Sequence, residues 1–261
     1  NAETQLMAVP LTLAMSVNVA LIVGALFVPG LWELRELLFP VALTTLAAIG
    51  VYALRIYLRF QARVLVDGGY DCARNNNLGQ MISVFALSMI AVGFAAPAAM
   101  SQDKVVLTHG FAGAVLFLAA AGVLGGIKLV LGFKAMMENR ADAETTPTLW
   151  IMIPILTVAG IALYRLRMAL AHTYDVPWPA GETFAFLLTL FAIQMVYLLL
   201  GSAVMLRAGY WQRWILGPER SAGSYTLICP GVALFVFANF LLNAGLVGVD
   251  VIAPGSLAHT L

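Results

Sequence analysis

Seven stretches of this chain, near residues 8–30, 38–59, 78–100, 105–133, 147–170, 181–206 and 222–249, run for about 20 residues or more with few charges. A helix rises about 1.5 Å per residue, so each stretch can cross the roughly 30 Å hydrocarbon core of a bilayer. Backbone polar groups in lipid must be paired within the spanning structure. These segments are too long and too continuously apolar for barrel strands. The expected fold is an all-α integral membrane protein with seven transmembrane helices, forming one transmembrane domain over residues 1–261.

Composition excludes most other classes. The chain is 62% apolar and 10% charged, with a mean hydropathy of +0.93, whereas a soluble domain carries about 25% charge. A net charge of +1 lacks the clustered Lys and Arg of a nucleic-acid surface. Cys72 lies in a charged loop and Cys229 in an apolar run, so no disulfide framework is expected. No zinc, haem-attachment, dinucleotide or phosphate-loop motif occurs, and no cofactor is expected. No basic segment precedes the first apolar run, so no cleavable signal peptide is read.

Loop charges set the expected orientation. Arg55, Arg59, Arg63 and Arg74, then Lys128, Lys134 and Arg140, then Arg207, Arg213 and Arg220 fall on one side. Only Arg35, Lys104, Arg165 and Arg167 fall on the other. The richer side is cytoplasmic by the positive-inside rule, which puts the amino end in the cytoplasm and Leu261 outside. Trp150, Trp178, Trp211 and Trp214 fall near span ends, where amphipathic aromatics sit.

The spans also follow a period. Even-numbered spans run into basic ends at Arg59, Lys134 and Arg207, 75 and 73 residues apart, and Pro154 precedes Pro230 by 76. Pro10, Pro97, Pro154 and Pro230 belong to odd spans, whereas the even spans hold only Pro40, at the start of its run. We read a repeated helical hairpin of one kinked and one straight member. The unpaired seventh span then predicts a partner outside this sequence. Odd spans also carry Asn18, Ser83, Ser88, Thr157, Asn239 and Asn243, while even spans hold Thr45, Gln194 and Ser202. Two readings follow: odd helices around a central pathway with even helices against lipid, or polar side chains serving as ordinary helix–helix glue.

Three stretches give this pattern a likeness. Residues 147–154 (PTLWIMIP), residues 181–214 with Gln194 and the RAGYW end at 207–211, and residues 223–231 (GSYTLICPG) resemble, in that order, the seventh, eighth and ninth helices of the tellurite-resistance/dicarboxylate transporter family. That family includes the bacterial TehA proteins and the plant slow anion channels. The resemblance implies five tandem hairpins with odd helices around a pore, a trimer, and small anions as the transported species. It places this chain over helices three to nine, lacking the first hairpin and the last helix. A bacterial inner (plasma) membrane follows from the same likeness. Where the family has a pore-occluding phenylalanine, this chain has Leu227 and Cys229, so an aromatic gate is not expected.

The candidate function is therefore a membrane channel or transporter for small anions, inorganic or dicarboxylate, with no enzymatic activity. Its partners are those anions, the lipid bilayer and further copies of the chain, with no nucleic acid. Glu182 and Asp250 stand at span ends and no other carboxylate falls within a span as bounded above. A route lined by hydroxyls and amides suits an anion better than a cation. The pathway residues are Asn18, Ser88, Thr157, Leu227, Asn239 and Asn243; Asn239 and Asn243, four apart, share one helix face. Arg165, Arg167 and His172 form an outer electropositive vestibule or else reach for headgroups. Lys128 is expected to snorkel, and Gly122, Gly125 and Gly126 to permit close helix packing. The alternative is the membrane subunit of a redox complex, with haem b or a quinone near His109 and His172.

Overall fold

The structure is a computed structural model that describes residues 5–68, 71 and 75–256. Arg74, Cys72 and the two chain ends used above lie outside these residues. Among the described residues there is no strand, and seven helical segments are long and apolar enough to cross a membrane. Their α-helical parts are α1 (Ala8–Phe27), α2 (Arg35–Asp67), α3 (Ile82–Met100), α4 (Lys104–Asn139), α5 (Met152–Tyr174), α6 (Ala180–Arg207) and α7 (Ile228–Phe240).

Helices α2 and α4 run past the expected ends of their spans, to Asp67 and Asn139. Arg59, Arg63 and Lys134 close the apolar runs, but Arg and Lys are good helix formers. Hydropathy therefore stops before the helix does. Gly68, at φ 71°, ends α2 in a conformation that only glycine adopts freely.

The prolines mark helix beginnings more than kinks. Pro10, Pro154 and Pro230 are each the third residue of their α-helix, where no intrahelical donor is lost. In α5 and α7 the proline follows a 3₁₀ lead-in, Ala143–Ile151 and Ala222–Leu227 respectively. Pro40 lies inside α2, an even helix, and Pro97 near the end of α3. Prolines within helices are therefore not confined to the odd members.

The chain divides into two compact units, Asn1–Arg140 with Ile161–Asp175, and Ala141–Gly160 with Val176–Leu261. In the first unit α3 is the enclosed helix: 89% of its spanning window is buried, against 39% or less for α1, α2 and α4. It is packed by those three helices. Burial does not follow odd and even numbering, since α1 is covered over only 17% of its window. Small residues allow the closeness. A methyl group on Gly110 of α4 would come within 2.9 Å of Ala98 N and Phe94 O of α3. Phe117 of α4 stacks on Phe94 of α3 with centroids 5.7 Å apart and fills the space left by Gly50 of α2. Of the glycines expected to support packing, Gly125 meets Val84, whereas Gly122 and Gly126 face open space. One turn is locked by a carboxylate: Glu36 accepts from Ser101 Oγ at 2.6 Å and Gln102 N at 3.0 Å. Asp103 then caps α4 through Val105 N at 2.7 Å.

The second unit has two cores. Leu187, Phe237 and Leu241 join α6 to α7 and the π-helical turn Leu241–Leu246 that follows it. Met205, Tyr210 and Trp214 form the other core, with Trp150, Trp211 and Leu227 packed on it. Gly201 admits the Trp150 ring, whose Nε1 donates to Leu198 O at 3.1 Å. Trp150 and Trp214 therefore take part in the packing of this core.

Candidate functional site

The polar interior of the first unit centres on a residue the sequence reading sends to the surface. Lys128 is 5% exposed. Its Nζ donates to Ser83 Oγ at 2.6 Å and to Gln80 O at 3.2 Å, and lies 5.0 Å from the centroid of the Tyr57 ring. Lys128 does not snorkel because its side chain lies on the face of α4 that packs against α3 and α2, where Ser83, Gln80 and Tyr57 take up the ammonium. Gly125 and Gly132 flank Lys128 on the face that approaches Val84 and Leu78. A lone lysine between glycines at helical spacing was the available sequence signal.

A second cation also turns inward. Arg165 of α5 donates from Nη1 to Val92 O of α3 at 3.2 Å. It shares a face with the buried Ala162, Leu166 and Ala169. Arg167 is half-buried off that face and His172 is exposed. The expected vestibule of Arg165, Arg167 and His172 thus loses Arg165 to helix packing.

Three of the expected pathway residues are engaged or walled in. Asn18 of α1 donates from Nδ2 to Met89 O of α3 at 3.1 Å. Ser88 is 1% exposed within enclosed α3, and its Oγ has no hydrogen-bond partner. Thr157 Oγ1 of α5 is shared between Ile153 O at 3.0 Å and Ala233 O of α7 at 3.1 Å. Gln194 of α6, read as an exception on an outer helix, is completely buried. Its Nε2 donates to Thr157 Oγ1 at 3.0 Å and Ile153 O at 3.4 Å, while its Oε1 is unpartnered. Its mid-helix position was the signal, since an amide at that depth needs cover from a neighbouring helix.

The remaining pathway residues divide. Leu227, expected to line the pathway, is half-buried and packs against the Met205, Tyr210 and Trp214 core. Asn239 and Asn243 stay uncovered, on a face of α7 and the following turn that also exposes Val232, Phe235 and Val236. Each amide donates to a carbonyl four residues back, Phe235 O at 3.1 Å and Asn239 O at 2.9 Å. Asn243 lies in the π-helical turn, a distortion that widens a helix and recurs at functional sites.

His109 is exposed and its Nδ1 lies 2.8 Å from Val105 O on its own helix; His172 is exposed as well. A bis-histidine haem site needs two imidazoles directed into one pocket. Among the described residues no cluster of His, Cys, Asp and Glu is suited to a metal ion. Every described carboxylate is exposed except Glu36, half-buried at the start of α2. Comparison of the chain with family models, curated proteins and solved structures finds no match.

Proposed function

We propose that this chain is a membrane channel or transporter for small anions, of the tandem-hairpin kind seen in the tellurite-resistance/dicarboxylate transporter family. The observation that carries the reading is the sign of the interior charge. Lys128 and Arg165 are held among the helices by neutral oxygens and a ring, and no described carboxylate is buried. An interior of uncompensated positive charge lowers the energy of an anion and raises that of a cation.

The hairpin period supports the same reading. Side chains bridge successive odd helices from Asn18 to Met89, Arg165 to Val92 and Thr157 to Ala233, at separations of 71, 73 and 76 residues. Pro154 and Pro230 occupy the same place after a 3₁₀ lead-in. Such recurrences suit a repeat whose odd members are neighbours. Asn239 and Asn243 share an exposed face of α7 and the turn after it, and are the amides assigned to the route. The amino end faces the cytoplasm, and the assembly is a homo-oligomer, a trimer by resemblance.

Radiolabelled chloride uptake into proteoliposomes tests the proposal. Uptake should exceed that of protein-free vesicles and fall at least tenfold in Asn243→Leu, because a hydrogen bond to a charge contributes about 1.5–3 kcal/mol. Uptake equal to that of empty vesicles, for chloride and nitrate alike, would refute it.

A further inference from the structure

Among the described residues Lys128 Nζ interacts with the Ser83 hydroxyl, the Gln80 carbonyl and the Tyr57 ring, none of which carries negative charge. The helices that enclose it offer no remedy. Helix α3 contains no acid. Asp67 on α2 and Glu138 on α4 each lie ten residues past Tyr57 and Lys128, about 15 Å along the axis. Glu138 faces Lys134 at 3.8 Å, and Glu36 is held by Ser101 at the other end of α2. A full charge within a spanning helix is costly, and a structure that keeps one without a counter-charge is suited to supplying that counter-charge from outside.

The neighbours are also built to yield. Ser83 Oγ accepts from Lys128 and donates to Gln80 O at 3.0 Å. Rotating that hydroxyl towards an ion leaves Gln80 O still bonded by Lys128. The ammonium and the hydroxyl then present two donors to one point, and charge-assisted bonds of this kind are the strong ones. The surroundings are closed, with Ser83 0% exposed, Tyr57 4% and Gln80 8%. An ion admitted among such buried side chains has to be small, as a halide or nitrate is.

We propose that Lys128 and Ser83 form a binding site for a small monovalent anion within the first unit. The proposal rests on reading the chain as an anion carrier or channel, and narrows its substrate class to small inorganic ions. Thermal unfolding of the full chain in detergent tests it, with sodium nitrate replacing sodium gluconate at constant ionic strength. A ligand bound only by the folded state raises the melting temperature. Wild type should show that rise, and Lys128→Arg should keep it. Ser83→Ala should need about tenfold more nitrate for the same rise, Ser83→Thr should restore it, and Lys128→Met should abolish it. No nitrate response in wild type, or an equal response in Ser83→Ala, would overturn the proposal, and Ser83→Ala decides even if Lys128→Met does not fold. Chloride uptake separates the two readings. Uptake with no nitrate stabilisation removes this site alone; stabilisation lost in Lys128→Met, with no uptake by wild type, keeps the site and removes the transport function.

Discussion

Thr157 Oγ1 lies 3.0 Å from Gln194 Nε2 and 3.1 Å from Ala233 O, so one hydroxyl ties α5, α6 and α7 together. In lipid, apolar burial gives little drive for helix association, and packing and interhelical hydrogen bonds take its place. Thr157 is therefore a structural residue of the second unit, and Gln194 is its partner.

A double-mutant cycle measures that partnership. Thr157→Val and Gln194→Leu each remove a bond, and unfolding in mixed micelles should give a coupling of about 0.6 kcal/mol, the usual scale for such pairs in membranes. A coupling of zero would mean that the two side chains act independently.

The glycines of α4 should separate by the space around them. Gly110→Ala places a methyl group 2.9 Å from backbone atoms of α3, where nothing flexible can yield. It should cost about 1–3 kcal/mol of stability. Gly122→Ala meets nothing within 4 Å and should be neutral or slightly stabilising. Thermal unfolding of the two variants side by side checks this, and equal melting temperatures would contradict the α3–α4 packing.

Orientation is open to chemical labelling. In a background with Cys72 and Cys229 replaced by serine, Arg63→Cys should react only from the cytoplasm and Gln102→Cys only from outside. Labelling of Arg63→Cys by an impermeant reagent added outside intact cells would reverse the orientation.

The fold class and the seven helices were legible because hydropathy over about 20 residues is the signal a bilayer imposes. Helix ends were less so. Charge ends a hydrophobic run but not a helix, and the burial of Lys128 depends on the helices facing it, which its own run does not reveal. Polar residues such as Asn18, Thr157 and Gln194 were visible in sequence, but their partners were not. Met89 O, Ala233 O and Ile153 O are backbone atoms, which no residue type advertises. Arg165 was misread because the face of α5 that packs inward depends on helix neighbours, not on its own composition.

Charge selectivity tests the central claim most directly. Proteoliposomes holding the purified chain, placed across a potassium chloride gradient, should develop a diffusion potential governed by chloride, read with a voltage-sensitive dye. Replacing chloride with gluconate on both sides should abolish it, and replacing potassium with a large organic cation should leave it unchanged. A potential of the opposite sign, following potassium, would contradict an interior whose buried charge is Lys128.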